Sequence, residues 1–136
     1  MRAGGGQNHR LGLYDMVLIK DNHIRAAGGI TEAVQAVRAR NTLGLQVEVE
    51  VTDLAQLREA LGLIVDRVLL DNMSLAEMRQ AVGLVDGRVP LEASGNVSLE
   101  NVAAVAATGV DYISIGQLTH SVRALDISLL LDGLAG

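Results

Sequence analysis

The chain has no cysteine, no tryptophan, no phenylalanine and only two tyrosines among its 136 residues. Without thiols it forms no disulfide, carries no thiolate nucleophile and builds no cysteine–zinc site. So few rings, with a net charge of −5, argue against a nucleic-acid partner, which calls for a basic face and often for stacking. No stretch reaches the ~18 uninterrupted apolar residues of a membrane span. The opening MRAGGGQNHR also lacks the apolar core of a secretion signal. These absences point to the cytoplasm and to no membrane partner. Lysine is nearly missing too, since Lys20 stands alone against ten arginines. A surface lysine would exchange easily for arginine under that bias, whereas a compact point charge would not, so Lys20 is singled out as functional.

What is present is enough for one domain with a real core. Charge is uneven. Arg2, Arg10, Lys20 and Arg25 set against Asp15 and Asp21 give the first 25 residues +2, and the remainder carries −7. A local anion site is therefore compatible with an acidic chain.

Short apolar, β-branched runs alternate with helical patterns. The runs are 15–22, 45–51, 67–73, 90–96 and 111–116, with a last candidate at 126–131. Between them lie TEAVQAVRAR, DLAQLREALGLI, SLAEMRQAVGLV and SLENVAAVAAT. Ile30, Ala33, Val34 and Val37 fall on one helical face. Ser74 with Glu77 fits a capping box, Asp53 with Gln56 a variant of it, and Gly109 a stop signal. The rhythm predicts an α/β fold with a parallel sheet, its runs covered by helices outside and a packed interior within. Equal steps of 21, 23 and 22 positions between Glu50, Asp71, Ser94 and Gly116 favour part of a TIM-like barrel of five to six strands. A complete eightfold barrel takes ~250 residues.

Every run ends in polar residues: Lys20, Asp21 and Asn22; Glu50; Asp71 and Asn72; Ser94, Gly95 and Asn96; Gly116 and Gln117. The carboxyl ends of parallel strands form the active face of such folds. Ordinary polar turns explain Asn, Gly and Ser there, but less readily a sole lysine and acids beside apolar runs. In GGGQNHR, a glycine turn precedes His9 and Arg10, a donor pair for carboxylate or phosphate, and no Walker lysine follows. Lys20 is placed to neutralise an anionic ring substituent, while His23 reads as structural. In VEVEV, period two puts Glu48 and Glu50 on one face, where they repel unless cations meet them. With Asp71 they are placed to share magnesium with a phosphorylated substrate. Ser94, Gly95 and Gly116 suit a backbone phosphate cradle, with His120 as a further donor.

GGGQNHRLGLYDMVLIKDNHI, followed by VEVEV, LLDNM, LEASGN and SIGQLTHS, closely resembles quinolinate phosphoribosyltransferase, the carboxylating nicotinate-nucleotide pyrophosphorylase family, over about residues 3–130. The resemblance implies conversion of quinolinate and 5-phosphoribosyl 1-pyrophosphate to nicotinate mononucleotide, pyrophosphate and CO2 in de novo NAD biosynthesis, with Mg2+. It implies that His9, Arg10 and Lys20 bind the quinolinate carboxylates. Glu50 and Asp71 would stand near the ribose and the magnesium-bound pyrophosphate, and Glu48 is a weaker candidate. Lys20, Glu50 and Asp71 are the catalytic candidates, and Ser94, Gly95, Gly116 and His120 would surround phosphate. It further implies a homodimer or higher homo-oligomer. Family members are about twice as long and begin with a smaller α/β domain that lends an arginine to a partner's barrel. They also carry an Arg-Lys element on an earlier strand. Residues 1–136 thus read as the C-terminal portion of the barrel domain, with the N-terminal domain and first strands absent, and an isolated chain of low turnover is expected. Two alternatives stand beside this: a molybdate-transport-associated paralogue, against which the KDNH at 20–23 speaks, and an inactive truncated fragment acting only as an assembly partner.

Overall fold

A computed structural model describes residues 2–121 and 124–130. Five strands alternate with helices: β1 (Met16–Ile19), α1 (Asp21–Ala27), α2 (Ile30–Arg40), β2 (Gln46–Val51), α3 (Leu54–Leu61), β3 (Arg67–Asp71), α4 (Leu75–Val85), β4 (Leu91–Ser94), α5 (Val102–Ala106), β5 (Tyr112–Ile113) and α6 (Gln117–His120). All pairings are parallel and the strands lie in chain order, β1-β2-β3-β4-β5. This order has no reversal, as in a barrel segment and unlike a doubly wound sheet.

One face of the sheet makes the core. Val47, Val49 and Val51 of β2, Val68 and Leu70 of β3, and Leu91 and Ala93 of β4 are buried there. They pack with Ile30, Ala33 and Val34 of α2, Leu57 and Ala60 of α3, Met78, Ala81 and Val85 of α4, and Val105 of α5. The helices start where the sequence predicts. Ser74 and Glu77 form the reciprocal capping box, and the Asp53 carboxylate accepts from the backbone N–H of Ala55 and Gln56. Gln56 turns instead to Thr52, whose N–H it accepts at 2.9 Å. Val37 is partly buried against the core, as its helical face requires.

The amino-terminal rim carries a repeated tie. Asp66 accepts from Val47 N–H at 2.7 Å, and Asp111 accepts from Leu91 N–H at 2.8 Å. Each aspartate thereby satisfies a donor on the strand preceding its own.

The opposite face is not the packed apolar interior that the runs suggest. By alternation and register, Glu48, Glu50, Arg67, Leu69, Asp71, Glu92, Ser94 and Tyr112 share it. Two further expectations change. Residues 21–27 are helix rather than strand end. The candidate strand at 126–131 does not form over 126–130, where Ile127, Leu129 and Leu130 are exposed, and Leu131 lies outside the described residues. An apolar run becomes a strand only where a neighbouring edge takes its hydrogen bonds. Among the described residues no helix is long and apolar enough to cross a membrane.

Candidate active site

Parallel pairing brings the carboxyl end of every strand to one rim. Lys20 follows β1 as the residue before α1, exposed, with its backbone N–H donating to His23 Nδ1 at 2.9 Å. His23 therefore closes the helix start, the structural role its sequence suggests. Glu50 and Asp71 sit half-buried at the ends of β2 and β3. Burial raises the pKa of Glu50 above the ordinary value, the Asp71 charge raises it further, and Lys20 opposes. These three groups thus share one electrostatic neighbourhood. Two carboxylates on neighbouring strands with a deficit of positive charge suit a hard, oxygen-seeking cation such as magnesium.

The next loops are built tightly against each other. Asn72 and Asn96 are left-handed (φ 54° and 52°), as is Gly95 (φ 96°). Asn72 Nδ2 donates to Asp71 Oδ2 at 3.0 Å, and Asn96 Nδ2 donates to Asn72 Oδ1 at 3.0 Å. A Cβ on Gly95 would lie 2.2 Å from Asn72 Oδ1. Glycine is required here both by conformation and by the close approach of the β3 loop. Ser94 pairs in register with Asp71. Gly116 precedes α6, and a Cβ there would lie 2.8 Å from His120 Nε2. His120 thus covers Gly116, while its Nδ1 lies 2.8 Å from Ser121 Oγ.

His9 is elsewhere. It lies over the charged face of the sheet, with Nε2 3.0 Å from Glu48 Oε2 and 3.3 Å from Glu92 Oε1. Neither contact has the alignment of a hydrogen bond, so the attraction is one of charge. Both glutamates are fully buried. Glu92 is further held by Arg67, at 3.0 Å from Oε2, and by the Ser114 hydroxyl on Oε1. The Arg67 guanidinium stacks 4.1 Å from the Tyr112 ring centre. Arg67 offsets Glu92, which leaves His9 to offset Glu48. Glu48 accordingly raises the His9 pKa above its usual value, against burial, which lowers it; Glu92 adds to the rise and Arg10 opposes it. The three donor atoms of His9, Glu48 and Glu92 lie within 4.8 Å of one another.

Arg10 does not join the rim. Its Nη1 lies 3.5 Å from the carbonyl of Met16, at the amino end of β1. There it lines an apolar groove of about 500 Å³ along the edge of β1 that pairs with no strand among the described residues, with Leu13, Val17, His23 and Val37. The sequence-predicted residues therefore fall into three places: Lys20, Glu50 and Asp71 together with Ser94, Gly95, Gly116 and His120 on the rim, His9 with Glu48 beneath it, and Arg10 at the edge. Glu92, Arg67 and Ser114 were missed. Glu92 and Ser94 stand two apart in one strand, and that spacing alone already puts the glutamate on the same face as the predicted phosphate ligand.

Sequential parallel strands whose carboxyl rim carries a cation, paired acids and glycine turns define a barrel-type α/β domain. The chain belongs to the quinolinate phosphoribosyltransferase family: residues 1–130 match the family model described as "Quinolinate phosphoribosyl transferase, C-terminal domain". It is 52% identical over 132 residues to the nicotinate-nucleotide pyrophosphorylase [carboxylating] of Mycobacterium leprae, covering 95% of this chain and 46% of that one. It is 46% identical over 129 residues to the probable nicotinate-nucleotide pyrophosphorylase [carboxylating] of Bacillus subtilis, covering 95% and 45%. Among solved structures, the nicotinate-nucleotide pyrophosphorylase from Francisella tularensis superposes with a TM-score of 0.88 at 47% identity, covering 93% of this chain and 45% of that one. The chain thus spans about half the length of the relatives it matches.

Proposed function

We propose that this chain supplies the barrel side of a quinolinate phosphoribosyltransferase site, in which quinolinate and 5-phosphoribosyl 1-pyrophosphate give nicotinate mononucleotide, pyrophosphate and CO2. The observation that carries the reading is the shared neighbourhood of Lys20, Glu50 and Asp71 on the carboxyl rim of a chain from this family. Lys20 binds a quinolinate carboxylate as a point charge, and His9 supplies a second positive group from below. Glu50 and Asp71 stabilise the positive charge that develops at the anomeric carbon as pyrophosphate leaves. The same two acids would hold magnesium, which would neutralise charge on the leaving group. Ser94, Gly95 and Gly116 present backbone N–H groups to the 5′-phosphate, with His120 beside them. Once the ring nitrogen is alkylated, its positive charge stabilises the electron pair left on the adjacent ring carbon as the C–C bond to the carboxylate breaks and CO2 leaves; that carbon then takes a proton from water, without a covalent enzyme intermediate. Arg10 belongs to the quinolinate pocket in this reading by swinging from the β1 edge.

The protein acts in the cytoplasm as a homodimer or larger homo-oligomer, and gel filtration should give one discrete species rather than a polydisperse aggregate. The purified chain should bind quinolinate more tightly than nicotinate, which has one carboxylate fewer. With magnesium and both substrates, it should form nicotinate mononucleotide slowly or not at all. Equal affinity for the two acids, or none for either, would overturn the assignment. Turnover matching that of full-length relatives would overturn the expectation that this half needs further cations.

A further inference from the structure

The His9 cluster combines two fully buried carboxylates with one partly exposed imidazole, and its arrangement limits the forms that ring can take. Nε2 faces Glu48 on β2 and Glu92 on β4. A bare nitrogen there would lie in the field of two carboxylates 3.0 and 3.3 Å away, so charge favours a proton on Nε2. In a neutral ring, Nδ1 is then an acceptor and repels an approaching carboxylate. In the imidazolium, Nδ1–H is a donor. Nδ1 has no hydrogen-bond partner among the described residues, and the side chain is 27% exposed. The other charged groups nearby are Arg67 on β3, which is committed to Glu92 over Tyr112, and Arg10, which is turned to the carbonyl of Met16. Glu48 has no cation besides His9 among the described residues. The cluster of Glu48, Glu92 and Arg67 is balanced in charge only when His9 carries its proton.

We propose that Glu48 and Glu92 are positioning residues that hold His9 as an imidazolium, so that its Nδ1–H donates to a carboxylate of the bound pyridine dicarboxylate. The two glutamates touch no substrate. They fix which nitrogen faces the ligand and make it a donor. Glu92 also ties this device to Arg67 and Ser114, so the loop bearing His9 is anchored across strands β2 to β4. The proposal rests on the quinolinate reading above and deepens it.

Nitrogen-15 NMR of the histidine rings in the full 136-residue chain tests it, with His9→Gln used to assign the His9 signals. In the wild type, both His9 nitrogens should be protonated at pH 7. Quinolinate affinity should fall as pH rises past the His9 transition. Glu48→Gln should leave His9 neutral at pH 7 and weaken quinolinate roughly tenfold, the scale of one charge-assisted hydrogen bond. Glu92→Gln should do the same to a smaller degree, but it also removes the partner of Arg67 and is the variant at risk of misfolding; Glu48→Gln leaves the Arg67–Glu92 pair intact. A neutral His9 in the wild type, or unchanged His9 ionisation and affinity in a folded Glu48→Gln, would overturn this inference. A charged His9 in a wild-type chain with no affinity for quinolinate would instead overturn the substrate reading.

Discussion

The two faces of the sheet follow different physics. On the helix-covered face, Val47, Val49, Val51, Val68 and Leu70 are all fully buried among apolar neighbours. On the other face, residues one position away carry formal charges: Glu48, Glu50, Arg67, Asp71 and Glu92. The first face stabilises the fold by removing apolar surface from water, each large side chain contributing roughly 1.5–3 kcal/mol. The second gains little from burial and depends on matching each charge to a partner, because an unmatched buried charge is costly. A strand such as VEVEV serves both faces, and the alternation lets folding and chemistry occupy the same residues without competing for side chains.

Making the two faces alike should do the greatest damage. Val49→Glu puts an unpaired carboxylate into the apolar core and should abolish cooperative unfolding in urea. Glu48→Met, one position away, should change stability by no more than about 1 kcal/mol in either direction, because it removes a buried charge and the partner left behind, His9, is partly exposed and can shed its proton. If Glu48→Met were as damaging as Val49→Glu, the charged face would be part of the core after all.

Gly95→Ala should cost about 1–3 kcal/mol, from a left-handed backbone and the collision with Asn72. Urea midpoints measure that cost, and phosphoribosyl pyrophosphate binding should weaken with it. The His9 contribution is smaller and depends on pH. Its pKa is raised in the folded chain, so the stabilisation is fully present below the unfolded value near ~6.5 and is lost as pH rises through the folded value. The difference in urea midpoint between wild type and His9→Ala should therefore shrink on going from acid to alkaline pH. Lys20→Ala should have the smallest effect on stability, within about 0.5 kcal/mol for an exposed residue, while removing most quinolinate affinity by calorimetry. A large stability loss with intact binding would reverse the role given to Lys20.

The helix-covered face was legible in the sequence because burial needs only the right period, and the capping residues of α3 and α4 marked where helices begin. Helix α1 escaped because it buries no residue, so it has no apolar stripe, and its start is closed by His23 rather than by a serine, threonine or aspartate. The rim residues were legible through their position after apolar runs. The buried ion network was not: Arg67 and Glu92 read singly as a strand edge and a stray acid, and only the register, which depends on the folded sheet, brings them within 3.0 Å. Arg10 shows the reverse case, since its adjacency to His9 in sequence does not carry over into a shared position in the fold.

The chain-order sheet also sets a timetable. Each βα unit can dock on the one before it as the polypeptide emerges from the ribosome, since no strand waits for a distant neighbour. His9 is the exception: its partners Glu48 and Glu92 are synthesised 39 and 83 residues later. During translation the imidazole therefore meets Glu48 when β2 docks but stays without Glu92 until β4 is in place, and the closing of that second contact reports that strands β1 to β4 are assembled.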